Sequence, residues 1–276
     1  MKNISLQGYQ MPALGFGTWK LTGDEAVRSV DFAIRNGYTH IDTAQIYENE
    51  TEVGQGIKNS GAAREDLFVT TKVWRNNFSE NKVLESVDES LKKLQTDYVD
   101  LLLVHWPFPE TPVEKLVEGV VKALDAGKAK RVGVSNFTVA QMEEAVRLSN
   151  GKIACNQVEY HPYLSQEPVL DFARKSGIIV TAYSPIARGK AIKDPVLQEI
   201  GNKYGKNAGQ VALRWLIQQD GVAAIPKSAT PENIKSNIDI FDFELTVDDM
   251  QKINGLASAN DRQVNPDFAP QWDNAA

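Results

Sequence analysis

A (β/α)8 barrel, the TIM-barrel class of α/β fold, is what this sequence predicts, on three observations. Short stretches of strand character alternate with stretches of helical spacing about eight times over roughly 250 residues, the pattern and size of such a barrel. Almost every one of those strands runs into a polar or aromatic group at its C-terminal end. No linker and no low-complexity tract interrupts the series, so residues 1–276 read as one barrel domain. A doubly wound open sheet is the structural alternative; it usually needs fewer units and carries a Gly-rich first turn, which is missing here.

The elements follow in order. Residues 4–11 alternate around Gln7-Gly8 and predict a small hairpin. A first strand is expected over Ala13 to Thr18. A helix opened by Asp24 carries Val27, Val30 and Ile34 on one face and stops at Gly37. Strand two is Tyr38 to Ile41, followed by a short helix near 50–59. Strand three is Leu67 to Thr71. Ser79 is positioned to cap the next helix, where Val83, Val87, Leu91 and Leu94 recur at helical spacing. Strand four, Tyr98 to Val104, is nearly all apolar, as a strand buried on both faces should be.

Thr111-Pro112-Val113-Glu114 reads as a capping box with proline at the first helical position, opening a helix that runs to Gly127. Strand five is Ala129 to Val134, and Thr138-x-x-Gln141 is a second capping box. Strand six is Ile153 to Val158, with a helix ending near Gly177, and strand seven is Ile178 to Ala182. Two helices near 194–204 and 207–219 precede the short strand eight, Gly221 to Ile225. Extra helices from Pro231 and Thr246 lead to a tail, Asn260 to Ala276, expected to lie over the active-site mouth with Phe268 and Trp272 as its apolar anchors.

Composition narrows the function classes. Hydrophobic residues make up 42% and charged residues 24%, which suits a globular protein with a substantial core. Thirty basic and 36 acidic residues are intermixed and give a net charge of −6, so no basic stripe suggests nucleic acid. Cys155 is the one cysteine, which excludes an intrachain disulfide. The N-terminus has no apolar signal-peptide region, and no apolar run approaches the 18 residues of a membrane span. A cytoplasmic protein without membrane contact is expected. No long apolar stripe is left over for a partner, so a monomer is expected.

In a barrel of this class the working residues sit at the C-terminal strand ends. Those ends hold Trp19, Asp42 with Tyr47, Lys72 with Trp74, His105 with Trp106, Ser135 with Asn136, Gln157, Tyr183 with Ser184, and Lys227 with Ser228. Asp, Tyr, Lys and His at one mouth form a proton-transfer set. A free tyrosine, with a pKa near 10, is a poor acid–base catalyst at pH 7. A lysine ammonium beside its oxygen favours the phenolate and lowers that pKa, and a carboxylate on the lysine keeps it charged. A histidine can hydrogen-bond the oxygen that the tyrosine protonates. This is apparatus for protonating a carbonyl oxygen while a cofactor delivers a hydride. Neither Gly15-Phe-Gly17 nor Gly54-Gln-Gly56 completes a G-x-G-x-x-G motif, so a nicotinamide would need another cradle. Tyr183 could stack on its ring, and Ser135, Asn136 and Gln157 offer what an amide needs. Lys227, Ser228 and Thr230 precede a helix N-terminus, where barrels often bind phosphate. Trp19, Trp74 and Trp106 suit an apolar substrate pocket.

Gly15-Phe-Gly-Thr-Trp19, Ile41-Asp-Thr-Ala-Gln-Ile-Tyr47, Thr71-Lys-Val-Trp74, Leu103-Val-His-Trp-Pro107, Val132-Gly-Val-Ser-Asn-Phe137, Asn156-Gln157, Ala182-Tyr-Ser-Pro185 and Ile225-Pro-Lys-Ser228 follow one another along essentially the whole chain. With these segments in this order the sequence resembles the aldo-keto reductase family. Its tail, Asn260-Asp-Arg-Gln-Val-Asn-Pro266, looks most similar to the bacterial 2,5-diketo-D-gluconate reductases of the B type. The resemblance implies an NADPH-dependent carbonyl reductase acting on small aldehydes and ketones, such as diketo sugar acids and methylglyoxal. It maps a catalytic tetrad onto Asp42, Tyr47, Lys72 and His105. Nicotinamide contacts map onto Ser135, Asn136, Gln157 and Tyr183, and phosphate contacts onto Lys227, Ser228 and Thr230; Ser184 and Asn237 are grouped with the cofactor contacts. Where the family commonly has an arginine shortly after the lysine, this chain has Asn233, so NADH is expected to work as a weaker cofactor.

Each residue also has a plain reading. An isolated Asp-x4-Tyr is usually a loop acid and a packed phenol, Lys72 could lie on the surface, and His105 and the tryptophans could be core. His40 and His161 have no partners at metal-ligand spacing, so no metal site is expected. A regulatory cofactor-binding barrel and an unrelated isomerase using Tyr and His are the rivals, since a fold does not fix a function. The loop from Trp106 to Thr111 is short, which predicts an open pocket and a wide substrate range.

Overall fold

The computed structural model describes residues 2–6, 8–78, 82–258 and 261–273. Strands β1 (Asn3–Leu6) and β2 (Tyr9–Pro12) pair antiparallel, as the alternation predicts. Gln7, in the expected turn, lies outside the described residues. Eight parallel strands follow: β3 (Phe16–Gly17), β4 (His40–Asp42), β5 (Phe68–Val73), β6 (Val99–Val104), β7 (Ala129–Ser135), β8 (Ile153–Glu159), β9 (Ile179–Tyr183) and β10 (Val222–Ala224). Spatial order is chain order, each strand lying parallel beside the next in sequence. The sheet then closes on itself. Gly15 N donates to Ala224 O at 2.8 Å, Ala224 N to Ala13 O at 2.9 Å and Gly17 N to Pro226 O at 3.0 Å. The fold is a (β/α)8 barrel with an N-terminal hairpin.

Burial explains the composition of the strands. Side chains of Leu101, Leu103, Phe68, Ile179, Ala154 and Ala223 fill the interior, and Met11 from the hairpin joins them from one end. The opposite faces of the strands pack against an outer ring of helices. With both faces covered, every residue of β6 is buried, hence its unbroken apolar character apart from Asp100. Asp100 is satisfied by Tyr9 Oη, Val69 N and Arg64.

The ring comprises α1 (Gly23–Arg35), α2 (Glu50–Ser60), α3 (Lys82–Leu94), α4 (Val113–Asp125), α5 (Val139–Leu148) and α6 (Glu167–Ser176), and, past α7 (Pro195–Tyr204), α8 (Ala208–Gln218) and α9 (Pro231–Ile238), which packs against both α8 and α1; α7 and α10 (Val247–Asn254) pack on each other. Val83, Val87, Leu91 and Leu94 of α3 are all buried, as their spacing predicts. The residue expected to cap that helix, Ser79, lies outside the described residues. Gly54 and Gly56, which serve no nucleotide motif, are packing glycines. A Cβ on Gly56 would sit 2.7 Å from Val30 Cβ, and one on Gly54 2.5 Å from Lys93 O, so α2 wedges tightly between α1 and α3.

Of the two predicted capping boxes, one forms. Thr138 and Gln141 exchange both bonds at the start of α5. Thr111 caps nothing. Pro112 is itself the N-cap, with ψ 141°, and its carbonyl accepts from Lys115 N and Leu116 N, so α4 starts one residue later than predicted. Proline leads this helix from outside the first turn. Strand boundaries also move: β3 is shorter than expected, and β5 runs on to Val73 so that Lys72 lies within the strand.

Candidate active site

Asp42 closes β4, and Lys72 stands on the adjacent strand β5. Lys72 is fully buried, and its Nζ donates to Asp42 Oδ1 at 2.5 Å and to Thr43 O at 2.8 Å. Its remaining reach is toward Tyr47 Oη, 3.4 Å away. Tyr47 ends a single 3-10 turn, Gln45–Tyr47, and Glu48 behind it takes a left-handed φ of 55°. That turn is fastened by Gln45. Its amide donates to Ser86 and Ser90 of α3, and its oxygen accepts from Trp74 N and Asn77 Nδ2. His105 follows β6 directly and presents its ring edge-on to Tyr47, 5.7 Å between centroids, with Trp74 5.3 Å away on another side. The four predicted residues of the proton-transfer set are therefore brought together from three neighbouring strand ends.

The charge balance follows from burial. Desolvation works against the Lys72 ammonium, but the Asp42 carboxylate and the Tyr47 oxygen outweigh it and hold the group above its ordinary pKa. Desolvation also dominates at Tyr47 and raises the phenol. Lys72 pulls it down without reversing the sign. The sequence-based expectation of a phenol lowered by lysine holds for the lysine's own influence and fails for the net. The group is a neutral phenol at neutral pH, the form that can give up a proton. Burial, aided by the Lys72 charge, keeps His105 far below 6.5 and so uncharged.

Asp42, Tyr47 and His105 line a cavity of about 710 Å³ at the C-terminal strand ends, with Trp19, Trp74 and Trp106 in its walls. Lys72 lies beneath this floor. Ser135, Asn136, Gln157, Tyr183 and Ser184 line the same cavity. All but Ser184 are hydrogen-bonded into one network: Ser135 Oγ donates to Gln157 O at 2.7 Å, Asn136 Nδ2 to Ser135 Oγ at 3.0 Å and to His105 O at 3.1 Å, and Tyr183 Oη to Asn136 Oδ1 at 2.8 Å. Gln157 Nε2 crosses to Asp42 Oδ2 at 2.7 Å, so Asp42 holds the lysine with one oxygen and this amide with the other. Asn136 (φ 64°) and Ser184 (φ 50°) adopt the left-handed backbone that non-glycine residues seldom take, a form of strain that collects at functional sites.

The predicted phosphate residues stand apart from this floor. Lys227 is exposed at the cavity's lip. Ser228 Oγ accepts from Thr230 N at 3.0 Å, just ahead of α9. Ser228, Thr230 and Asn237 do not line the cavity. Thr230, Asn233 and Asn237 recur at helical spacing along α9.

The tail lies over the mouth, as expected. Gln263, Val264, Asn265 and Pro266 line the cavity. Phe268 packs its ring on Trp74, Trp106 and Phe108, and Trp272 packs on Trp106. The short loop after His105 is thus the seat of the tail. Asn260 and residues 274–276 lie outside the described residues. Sequence reasoning missed Arg188, which lines the cavity and lies over the exposed Trp19 ring at 5.4 Å. It also missed Glu159, at the end of β8, and the Gln45 fastening. Glu159 was legible in principle, as a charged residue closing an apolar strand.

Comparison with known proteins agrees with this geometry. A model of the Aldo/keto reductase family matches residues 13–258. The chain is 42% identical over 267 residues to methylglyoxal reductase DkgB of Escherichia coli O157:H7, covering 95% of this chain and 99% of that one. It is 44% identical over 261 residues to glyoxal reductase of Bacillus subtilis strain 168, covering 94% of each. A crystal structure described as a candidate 2,5-diketo-D-gluconic acid reductase B superposes with a TM-score of 0.97 at 50% identity, over 99% of this chain and 98% of that one. An aldo-keto reductase of Bombyx mori, solved in complex with NADP, superposes with a TM-score of 0.88 at 37% identity, over 96% and 95%. With its barrel, its strand-end residues and these relatives in agreement, the chain belongs to the aldo/keto reductase family.

Proposed function

We propose that this protein is an NADPH-dependent reductase converting small aldehydes and ketones to alcohols, with Tyr47 as the general acid. The observation that carries this reading is the neutral Tyr47 phenol at the cavity floor, 3.4 Å from a lysine that Asp42 holds at 2.5 Å. Relatives named as methylglyoxal and glyoxal reductases support the substrate class.

Each residue has a definable task. Tyr47 gives its proton to the substrate oxygen, and the buried Lys72 charge stabilises the phenolate left behind. Asp42 keeps Lys72 charged and in register. His105 carries its proton on Nε2. Its Nδ1 is buried without a partner, and an unmet acceptor costs less there than an unmet N–H donor. The neutral imidazole then donates to the carbonyl oxygen and orients it. Trp19, Trp74 and Trp106 supply apolar walls, and the cavity's size is ordinary for a small-molecule site.

A reduced nicotinamide, when bound, supplies the hydride. The residues present fit it. Gln157 donates its amide to Asp42 and leaves its carboxamide oxygen free for a ligand amide, beside Ser135 and Asn136, with Tyr183 lining the same wall. Lys227 at the lip and the amides opening α9 suit the phosphates. Ser228, Thr230 and Asn237 belong to that outer end. A monomer with a wide carbonyl range is the form we assign to it.

Tyr47→Phe tests the reading. It deletes one hydroxyl, so the barrel and NADPH affinity should survive while kcat falls by about 100-fold or more. Binding is read by fluorescence titration, and turnover by loss of NADPH absorbance with methylglyoxal. A folded variant keeping more than about a tenth of the activity would remove Tyr47 as the acid.

A further inference from the structure

Glu159 is fully buried, and the partners of its carboxylate lie outside the named strands and helices. Oε1 accepts from Gln263 N at 2.8 Å and pairs with His161 Nε2 at 3.0 Å. Oε2 accepts from Val264 N at 2.8 Å. Two successive backbone amides of the tail therefore end on the two oxygens of one side chain more than a hundred residues earlier. The base of this clamp is rigid. Glu159 pairs with Tyr183 in the β8–β9 register, and its own carbonyl accepts from Gln166 Nε2 at 2.7 Å.

The clamped segment forms cavity wall, because Gln263 to Pro266 line the pocket beside Trp74 and Trp106. Gln263 Nε2 reaches Ala187 O at 3.3 Å, and Lys190 pairs with Asp261 at 2.6 Å, so the loop after β9 is drawn to the same place. Further along, Phe268 and Trp272 make ring contacts, Trp272 Nε1 donates to Asn265 Oδ1 at 2.8 Å, and Asp273, beyond the cavity-lining segment, accepts from Val139 N at 2.9 Å. The carboxylate clamp is the contact made by the backbone of the cavity-lining Gln263 and Val264 themselves. We propose that Glu159 is a positioning residue for carbonyl recognition, a latch that holds Gln263–Pro266 across the mouth and thereby sets the pocket's shape. The proposal deepens the reductase reading and rests on it for its kinetic arm alone.

Glu159→Gln is nearly isosteric, but its amide NH₂ must face a backbone N–H whichever way it turns, so one tail bond is lost. Val264→Pro removes a donor from the tail side without touching the barrel, and serves where the first variant fails to fold. Hydrogen exchange of the 261–273 region should quicken in both variants while β6 and β8 stay protected. KM for 4-nitrobenzaldehyde should rise about tenfold, the low end of what an apolar pocket contact is worth. kcat for methylglyoxal, which needs little of the wall, should stay within about twofold in Glu159→Gln. Unchanged tail exchange in both variants overturns the latch. A fall in kcat for both carbonyls with no change in their KM ratio overturns its role in recognition. A wild-type protein that reduces neither carbonyl would sink the reductase reading, and the exchange measurement would still decide the latch.

Discussion

Replacing Lys72 by methionine separates what the residue does for folding from what it does for chemistry. The Lys72–Asp42 pair is buried on both sides, with side-chain exposures of 0% and 2%. Removing the lysine leaves the carboxylate inside the barrel with Gln157 as its side-chain donor, which should cost about 3–5 kcal/mol of stability. Adding Asp42→Asn removes the stranded charge, and the new carboxamide oxygen can still accept from Gln157. Much of the stability should return. The chemistry should not. Across 3.4 Å, with an effective dielectric of about 20, the ammonium stabilises a full phenolate by about 5 kcal/mol. With about half that charge developed at the transition state, the loss is about 2.4 kcal/mol, or roughly 60-fold in kcat. The single and double variants should thus share a kcat deficit and differ in their urea midpoints, read by tryptophan fluorescence. The pH dependence has a definite sign. Lys72 is held above 10.5, so its stabilisation is complete below that pH and is lost as pH rises through the higher, folded value. The gap in stability between wild type and Lys72→Met should be flat from neutral pH up to 10.5 and narrow above it. A double variant that regained kcat together with stability would refute the assignment of Lys72 to the phenolate.

Three further outcomes are expected. Asn233 is exposed on the first turn of α9. Asn233→Arg should tighten NADPH by about fivefold, or about 1 kcal/mol for a water-screened contact, leave NADH nearly unchanged and make NADPH binding more salt-dependent. Equal gains for the two cofactors would place residue 233 on the shared adenosine. Burial holds His40 down to about 4, so between pH 6.5 and 4 the unfolded chain takes up a proton that the folded chain refuses, and stability falls by about 3 kcal/mol across that window. His40→Gln should remove that share of the slope, and urea midpoints of equal slope in both proteins would contradict it. Ending the chain after Val264 keeps the Glu159 bonds but deletes Phe268 and Trp272. KM should rise for several carbonyls with little change in NADPH affinity, and unchanged KM values would show that these rings do not shape the pocket.

The strand and helix alternation, the helix faces and the strand-end residues were legible in the sequence, because those signals are local. An apolar run buried on both faces and a helical stripe are each written within a dozen residues. Asp42, Lys72 and His105 were legible for the same reason, each lying at or beside the C-terminal end of such a run. The resemblance in motif order then fixed the family. Local signals failed where two starts competed. Thr111-Pro112 and Thr138-x-x-Gln141 look alike as caps, but Pro112 took the extended backbone that makes it the N-cap and displaced Thr111 from that position.

Other features depend on contacts between residues far apart in the chain. Closure of the barrel joins Ala13 and Gly15 to Ala224, and the Gln157–Asp42 bond spans 115 residues. No window of sequence contains both partners. The net direction of the Tyr47 pKa belongs here too, since the lysine's pull was foreseeable from chemistry but the depth of burial opposing it was not. Glu159 reads in the sequence as an acid at the end of a strand. Only the folded chain places two tail amides on its carboxylate, because that carboxylate, with every residue of its strand buried, has to find donors from whatever segment the fold lays over it.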